Sequence, residues 1–207
     1  MFQIIINSVV LSLIHATIPN HWLPLVAIGK VERWNKSTTL WATVISGFAH
    51  VASTILIGII VGWAGYKLAS SYHYISKIAA PAILIIFGGV YIASNFLGHK
   101  HHHHFDEQLA PNTPFVTVVL SLSIGMFFSP CIELESYYFT AGTFGWAGII
   151  VVSLIYLVVT VAAMVTYVAL AIEGINRFNW RFLEMNEKAI VGAVLIMVGL
   201  TTYFINF

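Results

Sequence analysis

The sequence predicts an all-α membrane protein: six transmembrane helices forming two inverted three-helix repeats, with the first and fourth helices broken. Three observations carry this. The chain has 207 residues, 59% apolar and only 8% charged. Soluble domains carry roughly 25% charged residues, so most of this surface must face lipid. Six apolar stretches approach the ~20 residues that cross a bilayer core. The first half also returns, diverged, in the second. The length fits one membrane domain, 1–207, divided into repeat 1 (1–97), a His-rich loop (98–114) and repeat 2 (115–207).

The apolar stretches run over 2–28, 39–64, 75–97, 115–140, 146–172 and 189–207. The first begins without a basic segment or a small-residue cleavage site, so it reads as a retained helix and not a signal peptide. Short polar connections follow. Lys30, Arg33, Lys36, Lys100, Arg177, Arg181 and Lys188 fall in the odd-numbered loops, and only Lys67 and Lys77 in the even-numbered ones. Cytoplasmic loops are the Lys/Arg-rich ones, which places both termini outside the cytoplasm.

The repeat is visible between 82–96 (AILIIFGGVYIASNF) and 193–207 (AVLIMVGLTTYFINF). An offset of 111 residues matches Gly88 with Gly199, Asn95 with Asn206 and Pro19 with Pro130, and a slightly shorter one carries His50 and Thr54 onto Tyr156 and Thr160. Shared apolar composition would also produce some likeness, but matched glycines and asparagines are not generic filler. Three crossings per copy turn the second copy upside down, an arrangement that in transporters places the binding site between the repeats.

Ionisable groups within spans cost about 2.5–3.5 kcal/mol each on insertion scales for Asp, Lys or Arg and need a reason. The first stretch holds His15, Asn20 and His21, the second His50, the fourth Glu133 and Glu135. Pro19 and Pro24 interrupt the first stretch and Pro130 the fourth; proline removes a backbone donor and frees carbonyls. Neutral imidazole suits zinc, nickel, cobalt, copper and iron, and a carboxylate adds charge neutralisation. His15 and His21 would point to different faces of a straight helix, so a break at Pro19 is needed to turn both into one cavity. His50 then completes a three-imidazole set. Glu133 and Glu135, two positions apart, do not share a helical face, so one of them is expected to face the ion path. Cys131 reads either as a soft ligand or as small apolar packing. Ser129-Pro130 also reads as a helix start, with Glu133 in its first turn.

The loop GHKHHHHFDE supplies His99, His101, His102, His103 and His104, a metal-binding composition that is otherwise a solvated linker. The tryptophans fall mostly at span ends, as an interfacial belt does. The net charge of +1 offers no basic face for nucleic acid, and one cysteine cannot form an internal disulfide. The expected partners are therefore a lipid bilayer and a metal ion, with a homo-oligomer left open.

His15, four residues, Asn20 and His21 resemble the His-x4-Asp-His fingerprint of the NicO family of nickel/cobalt transporters. His50 in the next span, the His-rich loop and the Ser-Pro-Cys element at Cys131 add to the likeness. Asn20 stands where that family has aspartate, removing a charge. The resemblance implies a divalent transition metal (nickel, cobalt, zinc or similar) as transported substrate, and a bacterial inner membrane. Export is the expected direction, with the His-rich loop gathering ions on the side they leave. The alternatives are an intramembrane metal-dependent hydrolase and an accessory membrane protein for metalloenzyme assembly. Neither a His-Glu-x-x-His helix nor a nucleophile elbow is present.

Overall fold

The computed structural model describes residues 2–71, 73–97, 114–129, 131–174 and 180–205. All regular structure there is helical: α1 (Phe2–Thr17), α2 (Pro19–Val31), α3 (Lys36–Ser71), α4 (His73–Leu97), α5 (Phe115–Phe127), α6 (Ile132–Gly142), α7 (Trp146–Ile172) and α8 (Trp180–Ile205). Each of the six apolar stretches is helical over most of its described residues, and two of them are split, as α1/α2 and α5/α6. Among the described residues α3 and α7 are long and apolar enough to cross a membrane, and α1 with α2 makes a third such segment bent by 42°.

The bundle is inside-out for a water-soluble protein. Ile60, Ile86, Leu154 and Val158 turn outward, while Ser12, Thr43, Ser46, Thr54 and Thr160 are buried. In lipid, apolar side chains gain little by meeting each other, so close packing and internal hydrogen bonds hold helices together. Several buried hydroxyls bond within their own helix, and one pair bridges two helices. Ser8, Thr43 and Thr202 donate to carbonyls four residues back, and Ser46 meets Ser123 of α5.

The breaks have local causes. Ile18 is extended (φ −67°, ψ 125°) and Pro19 opens α2 at a position where a missing amide costs nothing. Pro24 departs from the sequence expectation: it lies inside a continuous α2 and does not interrupt it. It deprives the Asn20 carbonyl of an amide partner within the first turns, where the helix tolerates the loss. In the second half α5 stops at Phe127, and Cys131 is extended (φ −93°, ψ 100°) before α6 begins. Pro130, expected to cause that break, lies outside the described residues.

Two glycine contacts set the closest helix crossings. A methyl group on Gly142 of α6 would collide with the carbonyl of Gly62 in α3, so bare backbones touch there. The second crossing is between α4 and α8. A Cβ on Gly88 would meet the Gly192 carbonyl at 2.5 Å and Ile196, and a Cβ on Gly192 would meet the Gly88 carbonyl at 2.5 Å and Ile92. These contacts are reciprocal, and Gly199 lies against Pro81 and Leu84, so the two helices run antiparallel about a local twofold axis. The same contact recurs at an offset of 111 residues: Gly88 faces the Gly192 carbonyl and Ile196, and Gly199 faces the Pro81 carbonyl and Ile85. Asn206 and the side chain of Asn95 are outside the described residues.

The ends of the bundle are distinct. α2 delivers Lys30 and Arg33 to one end, where Lys36 pairs with Glu173 and Trp34 packs on Phe115. At the other end Tyr66 meets Trp146 and the α1 backbone is tied to α6, the Tyr137 hydroxyl donating to the Ile4 carbonyl at 3.1 Å. Tyr137→Phe is expected to lower stability by about 1 kcal/mol, the worth of one such hydrogen bond. It should appear as a small drop in thermal midpoint in detergent with metal affinity unchanged.

Candidate metal centre

Both helix breaks face the middle of α3, and the side chains there converge. His15 comes from the last turn of α1, His21 from the first turn of α2, His50 from α3, and Cys131 from the extended residue before α6. One donor atom from each lies within 4.8 Å of all the others. The kink at Ile18–Pro19 brings His15 and His21 to a ring separation of 4.3 Å, and His21 lies 4.8 Å from His50. The His15 and His50 rings are nearly parallel, 5.9 Å apart.

Hydrogen bonds fix which nitrogen faces inward. His50 Nδ1 lies 3.1 Å from the Met126 carbonyl, an obligate acceptor, so Nδ1 carries the proton. His15 Nδ1 lies 2.9 Å from Glu133 Oε1 and donates to it. Each ring therefore turns its Nε2 to the centre, and both aim at Cys131 Sγ, at 3.1 Å and 3.2 Å. Metal-binding histidines are commonly held this way, the outer N–H given to a carboxylate or carbonyl. Among the described residues no hydrogen bond engages the His21 ring.

The cluster is buried and tightly supported. His15 and His50 are each 1% exposed, Cys131 4% and Glu133 8%. Tyr91 of α4 donates to Glu133 Oε2 at 3.1 Å, and Ser136 donates to the Glu133 carbonyl. The Cys131 amide is 3.5 Å from Thr54 Oγ1, and the Tyr156 hydroxyl is 3.8 Å from Cys131 Sγ. Tyr91, Met126 and Tyr156 escape a search for metal-ligand residue types. Tyr156 carried a signal all the same, as the residue that the repeat matches to His50.

Access is from one end. A cavity of about 400 Å³ reaches from His21, Cys131 and Glu133 past Asn20, Tyr91 and Ser94 to Lys188. A smaller one of about 170 Å³ runs from His21 and His50 between α2 and α5, past Pro24 and Ile28. Both lead toward the end that carries Lys30, Arg33 and Lys36. On the opposite side α6 seals against α3 at Gly62 and Gly142 and against α1 through Tyr137.

The structure thus brings together His15, His21, His50 and Cys131, with Glu133 behind His15. Asn20 stands beside His21 in the walls of both cavities. Glu135 is not part of the cluster: its two carboxylate oxygens are buried and accept no hydrogen bond among the described residues. Of the two glutamates only Glu133 engages the site, because the residue two positions on emerges about 200° around the helix. His99, His101, His102, His103 and His104 lie outside the described residues. Glu133→Gln is expected to weaken metal binding 10–100-fold, as loss of an outer carboxylate partner does, measurable by calorimetry on the detergent-purified protein. No family model, curated protein or solved structure matches this chain.

Proposed function

We propose that this protein transports a divalent transition-metal ion across a bilayer, with nickel, cobalt or zinc as substrate and His15, His21 and His50 as ligands. The observation that carries the reading is the convergence of three imidazoles, two from the α1/α2 break and one from α3 opposite it, in a site where two of them have their outer N–H groups tied. A hydrogen-bonded core histidine needs one partner and no neighbours of its own kind. Three rings within 6 Å of one another repel a proton on each but share a cation readily.

In this reading the six helical segments are six spans, and the halves 1–97 and 115–207 are inverted repeats. The reciprocal, antiparallel contact of Gly88 and Gly192 supports that symmetry. Two broken helices facing each other at the repeat interface are what a transporter site requires. The one-sided cavity is then one of two access states, open toward the Lys/Arg-rich loops. With those loops cytoplasmic, both termini lie outside, the membrane is a bacterial inner membrane, and the ion leaves the cell. The His-rich loop 98–114 follows directly on α4, whose Tyr91 and Ser94 line the route, and it delivers ions to the mouth. Asn20 lines the path as a neutral group, and Glu133 orients His15 and offsets charge.

The test is flux. Purified protein in liposomes should move at least one of nickel, cobalt or zinc faster than empty vesicles, followed with an ion-sensitive dye. Absence of flux for all of these, and for manganese and iron, would overturn transport and turn attention to an intramembrane enzyme or an assembly factor.

A further inference from the structure

We infer that Cys131, as a thiolate, is the fourth ligand of this site, completing a three-nitrogen, one-sulfur set that selects divalent ions accepting tetrahedral thiolate coordination. Zinc and cobalt(II) are such ions. The inference rests on the metal-site reading and narrows its substrate.

The starting point is an electrostatic conflict around one sulfur atom. Met126 and Glu133 hold the outer protons of His50 and His15, and both Nε2 atoms face Cys131 Sγ, at 3.2 Å and 3.1 Å. A thiol has a single proton and satisfies one of those nitrogens. The other is satisfied only if His15, paired with Glu133, takes a second proton and donates Nε2–H to the sulfur, which places an imidazolium in a buried site. A metal cation resolves the conflict for both nitrogens, the sulfur and His21 at once. On binding, the S–H bond breaks, the S–metal bond forms, and the proton leaves to solvent through the cavity.

Distances agree. Zinc–nitrogen and zinc–sulfur bonds of about 2.0–2.1 and 2.3 Å put tetrahedral nitrogen and sulfur ligands about 3.5 Å apart. The observed nitrogen–sulfur separations are a few tenths shorter, and all four donors lie within 4.8 Å. The donors also come from four separate pieces of chain, α1, α2, α3 and the residue before α6, and so approach a central ion from different directions.

Charge decides the valence. Three neutral imidazoles, one thiolate and the Glu133 carboxylate sum to minus two; Glu135, buried without a hydrogen-bond partner among the described residues, adds no charge as the neutral acid. A divalent ion brings this buried set to zero, whereas copper(I) leaves a net negative charge in a low-dielectric interior, which is costly. The amide at Asn20 fits the same sum: an aspartate there would add a third negative charge beside the site. Hard ions such as magnesium, calcium and manganese favour oxygen donors over imidazole and thiolate.

The test is cobalt(II) added to the detergent-purified full chain, read by absorption. A thiolate-to-cobalt charge-transfer band in the near ultraviolet and intense visible bands of tetrahedral cobalt are expected. Zinc should abolish both, and magnesium or manganese should leave them. Cys131→Ser should lose the charge-transfer band and bind cobalt at least ~10-fold more weakly. Binding that His50→Ala weakens, but that shows no charge-transfer band in the wild type, would overturn the thiolate while sparing the histidine site. Wild-type cobalt affinity unchanged by His50→Ala would instead remove the metal-site reading on which the inference stands. The wild-type spectrum decides the matter even if the serine variant fails to fold.

Discussion

His21→Ala should reduce metal flux in proteoliposomes by more than about 100-fold, beyond the 10–100-fold that loss of an outer partner costs. His21 is the cleanest position for this test. Its ring sits 4.3 Å from His15 and 4.8 Å from His50, so any ion shared by those two must also meet it. It holds no hydrogen bond among the described residues, so truncation strands no buried partner. It also borders both cavities, and water can fill the space it leaves. Folding should therefore survive, with unchanged helical circular dichroism and a single size-exclusion peak. Initial rates of zinc, cobalt and nickel movement are the measurement. Equal flux by variant and wild type, well above empty vesicles, would defeat the assignment of the site.

Gly142→Val is expected to have the largest effect on the fold. The first atom of any side chain at Gly142 would strike the Gly62 carbonyl of α3, and the backbone amide of Tyr66 lies just beyond. No flexible side chain can move aside. Overpacking typically costs 1–3 kcal/mol, and a backbone collision should exceed that range, at about 3 kcal/mol or more. Because helices in lipid are held by close approach and not by expulsion from water, nothing else compensates. The expected outcome is loss of monodisperse protein, or a thermal midpoint many degrees lower. Gly89→Ala is the matched control: a Cβ there meets nothing within 4 Å, so its stability should stay within about 0.5 kcal/mol of wild type. Similar stability of the two variants would show that the α3–α6 crossing is not as close as the structure has it.

The link between these two predictions is α6. Its tight seat on α3 through Gly62 and Gly142 fixes the residue before its first turn, Cys131, against Thr54 and His50. A fold variant that loosens the crossing should therefore also lose metal affinity, whereas a site variant should leave the crossing intact. Metal protection against heat distinguishes them. Wild type and Gly89→Ala should gain thermal stability with zinc, by mass action on the folded state, and His21→Ala should gain little.

The helices were legible because lipid imposes a simple rule: long apolar runs between charged connections. The run 146–172 is α7 to the residue. The break at Pro19 was legible too, since a proline carries its own geometry. Pro24 was read as a second break and is not one, because the cost of a proline depends on where the helix starts, and nothing local to Pro24 states that. The 111-residue offset read between 82–96 and 193–207 has a counterpart in the packing, where Gly88 meets the Gly192 carbonyl and Ile196 as Gly199 meets the Pro81 carbonyl and Ile85.

In the site, residue type alone nominated His15, His21, His50, Glu133 and Glu135, because imidazole and carboxylate are expensive in lipid wherever they lie. Composition could not divide the two glutamates, nor raise Cys131 above a small apolar residue. Those decisions belong to tertiary structure. Glu133 is chosen by the 2.9 Å contact with His15, and Cys131 by standing where two Nε2 atoms converge from helices far apart in the chain. The amino-acid order determines what each segment can be, since hydropathy and proline act over a few residues. Which polar groups share one buried space is decided by packing between distant segments, because electrostatic partnership is a matter of ångströms between side chains and leaves no trace in their spacing along the chain.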